Sequence, residues 1–283
     1  MKYFEMFAGV GGFSQGLNKD KFEPIGFSEI DKYASQVLKY HYPNTKNYGN
    51  CETIRWSEVP DFDLLTGGSP CQNFSIAGKR EGIVGSKSKL VWEFIRCLNE
   101  KQPRYFIWEN VKGALSSRNG WDFANILTAF SEAGYSLWWQ VLNAKDFGVP
   151  QNRERIFVIG FREGSPKEVF FERETNQLFN PTQEIRFGNF GGKATTPDGY
   201  ADTLTKSYGE LSGDGTKMIQ GDSVMRIFTP IECERLMGWA DNWTKFGINE
   251  KGNKVEISDS QRYKMCGNGV VSSVIRELVK TLF

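Results

Sequence analysis

Between Lys2 and Gly160, short apolar runs alternate with stretches that place apolar residues at helical spacing. The runs at residues 3–7, 23–29, 63–66, 105–109, 138–143 and 155–160 predict strands, and residues 13–18, 32–40, 91–100 and 121–133 predict helices. Connections of this length suit strand–helix–strand crossovers, so the rhythm reads as an α/β fold. After Phe161 the texture changes: residues 162–225 are rich in Gly, Thr, Asn and Asp, with short β-like pieces such as Ala201-Asp202-Thr203-Leu204-Thr205. This predicts a smaller, loop-rich domain. Thr229-Pro230-Ile231-Glu232 then opens a helix, with Thr as N-cap and Pro at the first helical position, and residues 270–283 predict a terminal amphipathic helix.

The 283 residues suffice for a sizeable core. No apolar run approaches the ~18 residues of a membrane span, and the N-terminus lacks a basic region followed by an apolar stretch, so a cytoplasmic protein is expected. Five cysteines without a C-x-x-C pair suit a reducing compartment and predict free thiols. The single histidine, His41 in Tyr40-His41-Tyr42-Pro43, reads as packing at a helix end. Chemistry therefore falls to Cys, Asp, Glu, Lys, Arg or an organic cofactor, with no metal expected. A net charge of +1 neither announces a nucleic-acid partner nor excludes a local basic surface.

Five motifs carry the candidate chemistry. Phe7-Ala8-Gly9-Val10-Gly11-Gly12-Phe13 lies between a strand and a helix, where glycines let the backbone approach a ligand closely. Some twenty residues on, Glu29 in Ser28-Glu29-Ile30-Asp31 stands where nucleotide-binding sheets hold a ribose by its hydroxyls. The third motif, Thr66-Gly67-Gly68-Ser69-Pro70-Cys71-Gln72-Asn73-Phe74-Ser75, runs from a strand into a turn that presents Cys71 among polar neighbours. Cys97 and Cys233, on helical patterns, read as small core residues, whereas Cys71 reads as a nucleophile needing nearby positive charge or a base. The fourth is Glu109 at the end of Phe106-Ile107-Trp108, a carboxylate that also suits a solvated strand end. The fifth, Gln151-Asn152-Arg153-Glu154-Arg155, projects alternate arginines to one face or forms a surface ion-pair patch.

In this order the motifs resemble the cytosine-5 DNA methyltransferases of bacterial restriction-modification systems. The resemblance runs from Phe4 to Val271, takes in Arg226-Ile227-Phe228-Thr229-Pro230-Ile231-Glu232-Cys233-Glu234-Arg235-Leu236-Met237-Gly238-Trp239 and Gln261-Arg262-Tyr263-Lys264-Met265-Cys266-Gly267-Asn268-Gly269-Val270, and leaves residues 163–225 unmatched. That is where the family keeps its variable target recognition domain. The resemblance implies a Rossmann-like S-adenosylmethionine-dependent domain at residues 1–177 and 261–283, and a mostly β/loop recognition domain with hinge at 178–260.

The roles it implies are these. Cys71 adds to carbon 6 of a flipped-out cytosine, Glu109 binds ring nitrogen 3 and the exocyclic amine, and Arg155, with Arg153 beside it, serves the ring carbonyl. S-adenosylmethionine, leaving as S-adenosylhomocysteine, is held by Phe7, Ala8, Gly9, Gly11, Gly12, Glu29, Ile30, Asn50, Cys51, Gly68, Pro70, Leu90, Asn268, Gly269 and Val270. Double-stranded DNA meets Gln72, Ser75, Ala77, Lys79, Arg80, Lys87, Lys89, Thr203 and Leu204, with Arg186, Lys193, Lys206 and Gln220 as candidate donors to bases. The family further implies a monomer of bacterial or phage origin and a cognate restriction endonuclease acting at the same site. Asn50 stands where the family usually has Asp, Ile30 where it has an aromatic, and Lys87-Ser88 where it has Arg-Gly. Two rivals remain: the tRNA-directed branch of the same family, and a nucleotide-cofactor oxidoreductase, which leaves Cys71, Glu109 and Arg155 unexplained.

Overall fold

Apolar strands with little alternation belong inside a sheet covered on both faces. In the computed structural model they lie there. The structure describes residues 1–70, 90–164, 186–187, 201–205, 218–220 and 225–283. Strands β1 (Lys2–Met6), β2 (Glu23–Ser28), β3 (Leu64–Gly68) and β4 (Tyr105–Val111) pair in parallel. They form one six-stranded sheet, in the order β2-β1-β3-β4-β7-β5, with β5 (Ser136–Asn143) and β7 (Glu154–Phe161). Strand β7 runs antiparallel to both its neighbours. Between β5 and β7 the two-residue strand β6 (Gln151–Asn152) pairs instead with β9 (Ala201–Asp202).

Successive side chains on a strand point to opposite faces, and the core divides accordingly. Tyr3, Leu64, Ile107, Phe157 and Ile159 join one buried cluster, while Phe4, Leu65, Phe106, Trp108, Ile156 and Val158 join the other. The second cluster is completed by helices α3 (Leu90–Lys101) and α4 (Trp121–Glu132), including Cys97. The first is completed by α1 (Gly12–Gly16) and by the C-terminal helices α5 (Pro230–Leu236), α6 (Asp259–Asn268) and α7 (Ser272–Leu282). Helix α2 (Lys32–His41) starts at Asp31, whose carboxylate accepts from the amides of Tyr33 and Ala34.

The predicted strands and helices of residues 1–160 are all present, with ends that agree to within two residues. Thr229 caps α5 in a reciprocal box with Glu232, with Pro230 in its first turn. The expected terminal helix begins later, at Ser272, because residues 269–271 form an extended link after α6, which the hydrophobic pattern did not indicate. A hairpin of β12 (Phe246–Ile248) and β13 (Lys254–Glu256) was likewise unforeseen. Residues Phe228, Cys233, Leu236, Met237, Trp239 and Ile257 share their core with Tyr3, Val10 and Phe13, so residues 228–257 pack on the same face of the sheet as α1. Within the variable stretch, β8 (Arg186–Phe187), β10 (Met218–Gln220) and β11 (Met225–Ile227) form a small antiparallel sheet. Among the described residues no helix is long and apolar enough to cross a membrane.

Candidate active site

The glycine loop leaves the carboxyl end of β1 through left-handed backbone at Phe7, Gly9 and Gly11 (φ 54°, 55° and 79°). Such angles cost a non-glycine residue about 1 kcal/mol or more, so Phe7 persists only because its surroundings hold it. Ala8 N–H donates to Ser28 O (3.1 Å), Gly11 N–H to Ala8 O (2.8 Å) and Gly9 N–H to Glu29 Oε2 (2.7 Å). Beneath the loop the buried Glu5 carboxylate accepts from the amides of Phe13 (3.2 Å) and Ser14 (3.0 Å) and from the Ser14 hydroxyl. A Cβ added at Gly9 meets nothing within 4 Å, so the loop opens onto free space there. At Gly12 a Cβ would stand 2.6 Å from Val270 Cγ1, which brings the C-terminal link against the loop.

Glu29 follows β2 and bridges two amides, Gly9 through Oε2 and Asp31 through Oε1 (both 2.7 Å). Burial pushes its pKa up, against the lowering effect of those donors. Ile30 beside it is 76% exposed, an unusual placement for a large apolar side chain. Asn50 uses Oδ1 to cap the turn Cys51–Thr53 through the Glu52 amide (3.0 Å). The Cys51 thiol is buried, with its pKa pushed up to about 12, and its carbonyl accepts from Arg96 (2.9 Å). Pro70 and Asn268 are exposed, Leu90 and Gly269 are half-buried, and the Val270 carbonyl accepts from Trp239 Nε1 (3.2 Å).

On the neighbouring strands, register sets Gly68 opposite Glu109 and Val111 opposite Arg155. Glu109 and Arg155 pair at 3.1 Å, with side chains 13% and 16% exposed. A Cβ at Gly68 would lie 2.7 Å from Glu109 Oε2, so the absence of a side chain there admits the carboxylate. Burial raises the Glu109 pKa, while the nearby Arg155 and Arg153 guanidiniums pull it down. Ser69 is pinned from β4: its hydroxyl accepts from Trp108 Nε1 (3.1 Å) and Asn110 Nδ2 (3.2 Å). The chain that leads into Cys71 thus starts from a fixed point. Cys71 itself, with Gln72, Ser75, Ala77, Lys79, Arg80, Lys87 and Lys89, lies outside the described residues, as do Lys193 and Lys206.

The two arginines of the fifth motif make different bonds, because the strand breaks between β6 and β7 at Arg153. Arg153 is buried and donates to the carbonyls of Leu204 (3.0 Å), Gly267 (3.2 Å) and Gly269 (2.7 Å). Its guanidinium clasps the segment after β9 to the C-terminal link. Leu204, expected at the DNA, has its side chain in the core, and the Thr203 hydroxyl donates to Asn152 O (2.8 Å). Glu154 pairs with Lys112 (2.8 Å). His41 stacks on Trp243 with ring centroids 3.6 Å apart, the packing role expected of it. Glu5 and Asn47, and Ser69 and Gln151 within their motifs, carry no role that the sequence pattern assigns, since each acts by hydrogen bonds to groups elsewhere in the chain that leave no periodic trace.

A mostly parallel sheet with a glycine loop after its first strand, a carboxylate after its second and a Glu–Arg pair at the ends of two others is an α/β arrangement that gathers polar groups at its strand ends, where such sheets place their ligand sites. The chain belongs to the C-5 cytosine-specific DNA methylase family, whose sequence profile matches residues 1–197 and 197–283. It is 33% identical to the type II methyltransferase M.BsuFI of Bacillus subtilis over 98% of this chain and 71% of that protein. With M.HhaI of Haemophilus parahaemolyticus, also a type II methyltransferase, identity is 31% over 98% and 92%. The fold matches S. pombe Dnmt2 methyltransferase with a TM-score of 0.75 at 19% identity, covering 100% of this chain and 98% of that one.

Proposed function

We propose that this cytosine-5 DNA methyltransferase acts on a cytosine flipped out of a short, specific double-stranded DNA sequence, through a covalent adduct on Cys71, with S-adenosylmethionine as methyl donor. The observation that carries the reading is the Glu109–Arg155 pair, seated against Gly68 on the strand that leads through Ser69 into Cys71. The type II relatives favour DNA over tRNA as substrate. The cofactor edge fits an adenosyl group: open space over Gly9, a desolvated carboxylate at Glu29 for the ribose hydroxyls, and exposed Ile30 as an apolar surface for the base. When bound, that cofactor supplies an electrophilic methyl group.

Carbon 5 of cytosine is too weak a nucleophile on its own. The Cys71 thiolate adds to carbon 6 and breaks the 5,6 double bond, while Glu109, in its protonated form, hydrogen-bonds nitrogen 3 and delivers a proton as negative charge develops. The raised pKa of Glu109 favours that form. Arg155 stabilises the ring carbonyl oxygen. Carbon 5, now enamine-like, would then take the methyl group with S-adenosylhomocysteine leaving, and nitrogen 3 returns its proton to the Glu109 carboxylate; loss of the carbon-5 proton to water expels the Cys71 thiolate and restores the double bond. None of this is possible in a stacked duplex, so the base must leave the helix at a cost of a few kcal/mol.

The test is bisulfite sequencing of DNA and tRNA from cells expressing the wild type or Cys71→Ala, paired with a duplex carrying 5-fluorocytosine. Methylation at one short DNA context and a denaturation-resistant complex, both lost in Cys71→Ala, are expected. Methylation by Cys71→Ala, or methylated tRNA with unmodified DNA, overturns the reading.

A further inference from the structure

At the end of β2, one amide side chain holds the backbone of Glu29 in place. The segment after α2 turns back alongside β2: Phe27 N–H donates to Lys46 O (2.9 Å) and Tyr48 N–H to Phe27 O (2.8 Å). This short parallel pairing sets Asn47 next to Glu29. Asn47 Oδ1 accepts from the amides of Glu29 and Gly49 (both 3.0 Å). Asn47 Nδ2 donates to Glu29 O (3.0 Å) and Ser35 Oγ (3.1 Å), and the Ser35 hydroxyl donates to the same Glu29 carbonyl (3.2 Å). One side chain therefore ties both backbone polar groups of Glu29, using both donor and acceptor ends of its amide. Glu29 lies just past the last residue of β2, where the sheet ladder no longer fixes it. Through Gly49, the same amide also holds the turn that leads to Asn50.

We infer that Asn47 is a positioning residue for the cofactor: by fixing the backbone of Glu29 it aims the carboxylate at the ribose. This rests on the reading of Glu29 as the ribose acceptor. No other residue type makes the same set of bonds. Alanine leaves two amides and a carbonyl to find water. Aspartate keeps the two accepted bonds, loses both donated ones, and sets a second carboxylate beside Glu29.

The experiment measures binding of S-adenosylhomocysteine and S-adenosylmethionine to the full chain by titration calorimetry, and KM and kcat with DNA. Variants are Asn47→Ala, Asn47→Asp, Ser35→Ala, Glu29→Ala and the double Glu29→Ala/Asn47→Ala. Asn47→Ala is expected to weaken binding roughly tenfold. Asn47→Asp should weaken it at least as much, and Ser35→Ala less. KM for the cofactor should rise while kcat at saturating cofactor stays within about twofold. In the Glu29→Ala background, Asn47→Ala should add less than about twofold, because its effect passes through Glu29. Wild-type binding by Asn47→Ala, or its full loss recurring without Glu29, overturns the inference. Wild-type binding by Glu29→Ala overturns the ribose reading and the inference with it. If Asn47→Ala fails to fold, Asn47→Asp and Ser35→Ala decide: wild-type binding by both overturns it.

Discussion

Glu5 sits under the glycine loop at 1% exposure, and burial lifts its pKa from 4.5 to about 7 despite the donors from Phe13 and Ser14. Between those two values the folded protein binds more protons than the unfolded chain, so stability falls as pH rises through that window. The contribution is fully present below 4.5 and lost above about 7. The whole shift is worth about 3 kcal/mol, of which about 2 kcal/mol falls between pH ~5.5 and ~8.5. Glu5→Gln removes this titration while keeping one acceptor for the helix amides. Titrating groups remote from Glu5, such as the half-buried His41, act alike in both proteins and cancel in the difference, while the charge of Glu29 adds a smaller push to the Glu5 pKa itself. Urea unfolding of wild type and Glu5→Gln across that range should therefore show the variant gaining about 2 kcal/mol relative to wild type toward the alkaline end. A difference that stays flat with pH, or that moves the other way, refutes the account of Glu5 as a carboxyl group held largely neutral under the loop.

Gly68→Ala brings a methyl group to 2.7 Å from Glu109 Oε2, closer than ordinary contact, so the carboxylate must turn from Arg155. Methyl transfer should fall about 100-fold, with a change in melting temperature of only a few degrees; an unchanged kcat refutes it. Gly16→Ala places a Cβ 2.5 Å from Ile275 Cβ and 2.7 Å from Ser272 O, prying α1 from α7. Thermal unfolding should register a loss of about 2–3 kcal/mol, and wild-type stability would show that the helices shift freely. Exchanging residues 211–225 for those of a relative with another target should change which cytosines are methylated, with 5-fluorocytosine trapping at Cys71 retained; an unchanged methylation map at full activity moves specificity elsewhere.

The strands of residues 1–160 were legible because a sheet buried on both faces demands apolar runs, and parallel strands demand the helices between them. The turn chemistry was legible too: the glycines after β1, the acidic residue after β2 and the Thr-Pro start of α5 each answer a local backbone need. Asn47 and Arg153 were not. An amide at residue 47 closing on residue 29, or a guanidinium at 153 closing on carbonyls at 204, 267 and 269, is a contact across the fold, and local spacing holds no record of it. Arg153 also runs against expectation, since arginine is seldom buried without a paired carboxylate. The hairpin at residues 246–256 escaped for a different reason: its strands are three residues each, too short to display an alternation.

The burial of Arg153 bears on the charge balance at the reaction site. Glu109 feels two guanidiniums, Arg155 in direct contact and Arg153 nearby, and both favour its ionised form, while burial favours the neutral one. In the proposed mechanism Glu109 is protonated for donation to ring nitrogen 3, and Arg155 then stands beside it without a carboxylate to offset its charge. That uncompensated charge would become favourable as the thiolate brings its electrons into the ring. Burial outweighs the nearby guanidiniums and raises the Glu109 pKa, so under the proposed mechanism the acid form is at hand when the base arrives and the guanidiniums stabilise the charge that develops afterwards, which is the sense in which a preorganised field lowers a barrier. Three backbone carbonyls hold the Arg153 guanidinium in place, so that it acts on Glu109 at a distance without competing with Arg155 for its oxygens.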